Sequence, residues 1–159
     1  MYSIFFSALI VSIRTDLECM LLSRFTTLYL IPIGFIGAYF DLLPITLLQS
    51  IIGCFLGYTI LYLIAQLYRL RTGIEGMGQG DLELLGMIGS FLGPLGCWLS
   101  LCVAAILGSI VSLEYIALHT TSDSRNVRIP FGPFLACGAF AYVFYKTQLI
   151  TFFLHNLAF

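Results

Sequence analysis

The chain has 159 residues, of which 60% are hydrophobic and 9% charged, with a mean hydropathy of +1.01 and a formal net charge of −1. No soluble globular surface accommodates that balance, and no basic stretch suits nucleic acid. The length fits one domain, and apolar runs recur too often for a single anchor, so the composition implies an integral membrane protein.

Taken in chain order, the apolar runs predict six helical spans, at 1–15, 26–40, 44–68, 81–94, 96–119 and 130–153. The expected fold is therefore all-α, a polytopic membrane protein of about six transmembrane helices. Helices are favoured because lipid-facing backbone must satisfy its own hydrogen bonds, and the runs are continuous rather than alternating as in a barrel. The first run, Met1–Ile13, is not a secretory signal: its positive residue, Arg14, follows the apolar stretch, and no small-residue cleavage site comes after it. A helix reaching residue 16 covers about 24 Å against roughly 30 Å of hydrocarbon, so Asp16 is expected near the membrane surface. Asp41–Pro44 and Gly93-Pro94-Leu95-Gly96 read as short turns, and Arg69–Gly80 and Thr120–Ile129 as longer polar connections.

Six spans put the loops after the first, third and fifth on one side. Those loops hold Arg14 and Arg24, Arg69 and Arg71, and Arg125 and Arg128, which are all the arginines in the chain. Lys146 lies toward the other side, and the positive-inside rule then makes the arginine side cytoplasmic. Asp16 and Asp81 share that side, whereas Asp41 falls on the opposite one. The cysteines Cys19, Cys54, Cys97, Cys102 and Cys137 form no CxxC pair, and His119 and His155 are isolated, so no metal site and no cofactor are expected. Buried cysteines behave as small apolar residues.

The chemistry concentrates in Gly76-Met77-Gly78-Gln79-Gly80-Asp81-Leu82-Glu83-Leu84-Leu85, where a glycine-rich turn delivers two carboxylates to the mouth of an apolar helix. Acids at bilayer depth are rare and mark proton relays, ion paths or catalysis. A bland alternative treats Gly76, Gly78 and Gly80 as a flexible break before a span, and Gly86, Gly89 and Gly93 as a packing surface. The segment Gly78-Gln79-Gly80-Asp81 resembles the GxGD motif of the type IV prepilin peptidases and preflagellin peptidases, which are membrane aspartyl proteases. Arg71–Gly78 upstream, Leu84–Gly93 downstream and the later Ile129-Pro130-Phe131-Gly132-Pro133-Phe134 are also similar to that family, and the likeness runs from about residue 14 to residue 145.

The resemblance implies a catalytic pair, Asp81 with Asp16, the family's second aspartate lying at the cytoplasmic end of an earlier helix. Leu22-Ser23-Arg24 stands where the family usually carries proline followed by Asn or Asp, and Glu83 where it commonly has lysine; both departures bear on substrate preference. Gly78, Gly80 and Glu83 are motif or supporting residues, with Glu83 lining the cytoplasmic end of the site or pairing with an arginine. Glu114 is a snorkelling acid or a polar contact in the bundle. Two nearby carboxyl groups share one proton, giving an ionised acid to deprotonate water and a neutral acid to polarise the amide. Asp81 opens a helix and Asp16 closes one, so the helix dipoles predict Asp81 as general base and Asp16 as proton donor.

The resemblance further implies a prepilin-like substrate with a short basic leader before an apolar helix, cut at the cytoplasmic face of the inner membrane. Glu75 and Asp123 are the expected contacts for leader lysines, with Glu83 beside them. The domain expectation is one transmembrane peptidase domain over 1–159, without the N-terminal cysteine-rich insertion that longer members associate with methyl transfer. Membrane lipid is the other partner, and the oligomeric state is open. Two other classes stay in view: a small proton-coupled transporter, which should show inverted repeats, and a catalytically silent assembly relative.

Overall fold

The computed structural model describes residues 1–19, 24–73, 78–118 and 130–157. Its regular elements are all helices: α1 (Tyr2–Cys19), α2 (Arg24–Tyr39), α3 (Leu47–Thr72), α4 (Gln79–Leu118) and α5 (Gly132–Leu157). No strand occurs among the described residues.

Local chemistry sets several helix ends. Thr46 caps α3 in an extended conformation, its hydroxyl accepting from the Gln49 N–H while the Gln49 side chain accepts from the Thr46 N–H, a reciprocal capping box. At the other end Gly73 is left-handed (φ 71°) and donates its N–H to the Arg69 carbonyl at 2.8 Å. Arg69 and Arg71 in that last turn face the negative end of the helix dipole. Between α2 and α3, Asp41 takes a positive φ of 53°, which aspartate tolerates better than most side chains, and Leu42 donates back to the Gly37 carbonyl at 2.9 Å.

The fourth helix is interrupted. Gly93 has φ 76° and ψ −174°, a region open essentially to glycine alone, and Pro94 then opens the next helical stretch with its ring already set for a first turn. The spans expected at 81–94 and 96–119 thus emerge as one element in two limbs, 79–92 and 94–118.

Contacts between helices give the direction of each limb. Along α3 and the first limb, Gln49 lies near Gly93, Gly53 against Gly89 and Gly57 against Leu85, so the two run antiparallel. Along α1, Phe5 stacks on Phe91 at 5.0 Å while Asp16 faces Asp81, again antiparallel. Phe6 stacks on Phe140 at 4.9 Å and Asp16 meets Gly132, which sets α5 antiparallel to α1 and parallel to the first limb. The second limb opposes α5, with Gly96 near Tyr142, Ser100 against Gly138 and Gly108 near Phe131. The chain therefore reverses at Gly93.

Close backbone approach holds α3 to the first limb. A Cβ on Gly53 would collide with the backbone of Gly89 and Gly93, and a Cβ on Gly57 would lie 2.6 Å from the Leu85 carbonyl oxygen. Small residues at such a crossing let dispersion and backbone dipoles act at short range, the usual means of joining helices where lipid removes the hydrophobic drive. Leu84, Leu85, Met87, Ile88 and Phe91 fill the centre, covered by Phe5 and Leu9 of α1 and by Leu135, Ala136 and Ala139 of α5.

The outer surface is apolar. Tyr29, Phe55, Leu63, Leu95, Ile106 and Phe144 all point away from the bundle, far more exposed hydrocarbon than a protein surrounded by water carries as a patch. Leu47–Thr72 and Gln79–Glu114 are long and apolar enough to cross a membrane, and Thr27–Tyr39 is a shorter apolar helix. Length and composition thus pick out two membrane-crossing helices among the described residues, where about six are expected from the sequence.

Candidate active site

One end of the bundle gathers the last turn of α1 and the first turns of α2, α4 and α5. Asp16 comes to it because α1 starts at Met1 on the opposite end, beside Gly37, and needs its whole length to arrive. Asp81 comes to it because α4 starts there: Gly78 accepts from the Asp81 N–H at 3.3 Å as the helix opens. Gly78 leaves open space on the side where Asp81 Oδ2 lies, 3.8 Å from the position of an added Cβ.

Both carboxyl groups are buried, Asp16 at 6% and Asp81 at 8% exposure. They belong to the same end of the bundle, Asp16 in the last turn of α1 and Asp81 in the first turn of α4. Asp16 Oδ2 accepts a hydrogen bond from the Gly132 N–H at 3.0 Å, a contact that spans 116 residues of chain. Asp81 Oδ1 is buried and accepts no hydrogen bond among the described residues. Two facing acids in a site shielded from water cannot both carry charge cheaply, which is the condition for sharing one proton.

Glu83 is buried at 6% and accepts a hydrogen bond from the Thr27 hydroxyl at 3.3 Å. It sits two residues beyond Asp81 and meets α2 through this hydroxyl, a contact the sequence did not suggest. Glu114 is exposed near the end of the second limb. Gly80 lies in the opening turn of α4, half-buried. Glu75 and Asp123, the expected leader contacts, lie outside the described residues, as do Gly76, Arg125 and Arg128. Asp41 belongs to the opposite end, in the turn after Gly37, which lies against Met1 and Leu43.

Thr27 and Gly132 were not singled out from the sequence as working parts of this end. For Gly132 a signal existed, since proline on both sides of Phe-Gly marks a helix start with few N–H donors. Thr27 is one threonine in an apolar run and carries no such mark. Among the described residues no group of three or more His, Cys, Asp or Glu is arranged to hold a metal ion. Cys54, Cys97, Cys102 and Cys137 are free thiols.

Comparison with known proteins gives this helical bundle its class. The chain belongs to the type IV leader peptidase family, whose model matches residues 3–113 and so takes in Asp16, Asp81 and Glu83. The family expected from the GxGD segment is the one found.

Among curated relatives, the chain is similar to the prepilin leader peptidase/N-methyltransferase of Aeromonas hydrophila, 32% identical over 143 residues that make up 89% of this chain and 48% of that protein. The like-named protein of Dichelobacter nodosus is 37% identical over 134 residues, 84% of this chain and 44% of the relative. That of Burkholderia pseudomallei strain K96243 is 38% identical over 102 residues, 64% and 32% respectively. The chain spans about half the length of the first two relatives or less of the third. No solved structure matches it significantly.

Proposed function

We propose that this protein is an aspartic endopeptidase of the membrane, removing the short basic leader of prepilin-like precursors on the cytoplasmic side of the inner membrane. The observation that carries the reading is the burial of Asp16 and Asp81 at one end of the bundle, where the last turn of α1 lies with the first turns of α4 and α5. Their membership in a chain of the leader peptidase family supplies the reaction class. The relatives are named for prepilins, which supports the same substrate class here.

The chemistry follows from two carboxyl groups with one proton between them. The ionised member takes a proton from water as the oxygen attacks the scissile carbonyl carbon. The neutral member gives its proton to the carbonyl oxygen, and the resulting diol collapses, expelling the amine of the mature chain with a proton returned through the dyad. Holding the substrate helix in the bilayer keeps its scissile bond at one depth, which lowers the entropic barrier to reaching the pair. Glu75 and Asp123 are our proposed attractors for leader lysines; Glu83, buried against Thr27, is the weaker choice.

Six membrane passes are part of the proposal, formed by α1, α2, α3, the two limbs of α4, and α5. The reversal at Gly93 and the antiparallel contacts along α1, α3 and α5 support it. Orientation is supported by the arginines: Arg14, Arg24, Arg69 and Arg71 all belong to the helix ends that surround the aspartates, and Lys146 lies toward the far end of α5.

Purified protein in detergent, incubated with a prepilin-like substrate bearing a basic leader and an apolar helix, tests the reading. Cleavage is expected before the apolar helix, and loss of it in both Asp16→Asn and Asp81→Asn at unchanged expression. Full cleavage by either variant would end the two-aspartate proposal, and no cleavage by the unaltered protein would favour a carrier or a silent relative.

A further inference from the structure

We infer that Gly132 is a positioning residue of the site: its N–H holds Asp16 as the ionised, water-activating member of the pair, and its missing side chain makes the room that carboxylate occupies. The inference rests on the peptidase reading and adds to it a division of labour, with Asp81 as proton donor.

The start of α5 explains why this one N–H is available. The first N–H groups of a helix have no intrahelical acceptor. Here Phe134 and Leu135 both donate to the Phe131 carbonyl, at 3.1 and 3.2 Å, and Pro133 has no N–H at all. Gly132 supplies the donor of this turn that leaves its own helix, and it reaches Asp16 Oδ2 at 3.0 Å. A Cβ at residue 132 would stand 2.6 Å from that oxygen and 3.3 Å from Asp16 Cγ, too close for a buried side chain to accommodate by a small adjustment.

This contact reverses the division expected from the sequence. Asp16 does close α1, whose negative end disfavours an anion, but it also lies at the positive end of α5. Asp81 has a helix start with no opposing end, so the dipoles alone still lean toward its anion, by less than the sequence implied. A directed N–H bond to Asp16 then decides, because hydrogen bonding to a carboxylate favours its charged form. Asp81 Oδ1 has no comparable donor among the described residues. Among the described residues the charged and titratable groups at this end include Asp81 and Glu83 on α4 and Arg14 on α1, and the hydrogen bond given to the Asp16 carboxylate comes from the start of α5.

The test is the pH dependence of kcat for the full chain in detergent, with a synthetic prepilin-like peptide as substrate. Gly132→Ala should lower kcat about tenfold or more with KM little changed, and should move the acidic limb of the profile to higher pH by roughly one unit. Gly138→Ala is the structural control: its Cβ would meet the Ser100 carbonyl oxygen at 2.5 Å, away from the site, so it should lower thermal stability and leave the acidic limb in place. Should Gly132→Ala fail to fold, an ester in place of the amide between residues 131 and 132 removes the donor without adding any atom near Asp16, and the same shift is expected. An unmoved acidic limb, or movement of the alkaline limb instead, overturns the inference. Cleavage that survives Asp16→Asn or Asp81→Asn overturns the underlying peptidase reading, a separate outcome.

Discussion

The Thr27 hydroxyl donates to Glu83 Oε2 at 3.3 Å, joining the opening turns of α2 and α4 inside the bundle. Thr27 is fully buried and Glu83 nearly so, which makes this bond a tie between the helix that carries Asp81 and the helix beside it. Replacing Thr27 by valine keeps the shape and removes the donor, leaving a buried carboxyl oxygen short of a partner at a cost of about 1–3 kcal/mol. Thermal unfolding in detergent should show a midpoint several degrees lower for Thr27→Val. Thr27→Ser, which retains a hydroxyl, should lose less. Equal melting of Thr27→Val and the wild type would remove this tie from the account.

The crossing of α3 and α4 is set by Gly53 and Gly89, whose backbones touch. Alanine at either position must push the helices apart, because the obstacle is backbone and cannot rotate away. Overpacking of this kind costs about 1–3 kcal/mol or more. Since one displacement relieves both clashes, the double variant should cost less than the sum of the singles. Circular-dichroism melts of the three variants check both statements, and additive losses would contradict a shared contact.

Gly93 predicts topology. If the chain turns back there, Asp41 and Leu95 lie on one side of the membrane and Gln79 on the other. In a chain whose own cysteines are replaced, a membrane-impermeant thiol reagent applied outside intact cells should label cysteines introduced at 41 and 95 and spare one at 79. Labelling of 79 together with 95 would mean that α4 crosses once. Gly93→Ala should also destabilise, by about 1–3 kcal/mol, because its φ of 76° with ψ of −174° suits no side chain.

Loss of either aspartate removes half of an acid–base pair. Asp16→Asn and Asp81→Asn are each expected to lower kcat by about 10²-fold or more, the usual scale of general acid–base assistance. Single-turnover assays at saturating substrate separate this from weaker binding. A change confined to KM would assign these residues to substrate binding instead.

Parts of this molecule were legible without coordinates. Asp81 stood out because glycine, glutamine and glycine before an acid at the mouth of an apolar run are an unusual combination, and a known family shares it. The reversal at residues 93–96 was legible from Gly-Pro-Leu-Gly, since glycine and proline each forbid what an uninterrupted helix needs. The arginine clustering was legible from loop order alone. Its described members, Arg14, Arg24, Arg69 and Arg71, do fall at one end.

Other parts were not legible, for a common reason. The role of Gly89 as a packing residue was expected, but its partner Gly53 could be named only once α3 lay against it. Gly93 shares the spacing of Gly86 and Gly89 yet serves as the break, which spacing cannot distinguish from packing. For Glu83 the contact with the hydroxyl of Thr27, an unremarked residue 56 positions away, had no local sign.

By itself the sequence determined the solvent this chain is made for and the helical form of its backbone, because both follow from composition and from hydrogen-bond demands that each segment meets alone. It also carried the family. Only the tertiary structure decided which helix ends meet, and therefore that Asp16 answers to the start of α5 as well as to the end of α1. A bond across 116 residues leaves no local periodicity, and the balance of charge between two acids depends on such bonds more than on the helices that bear them.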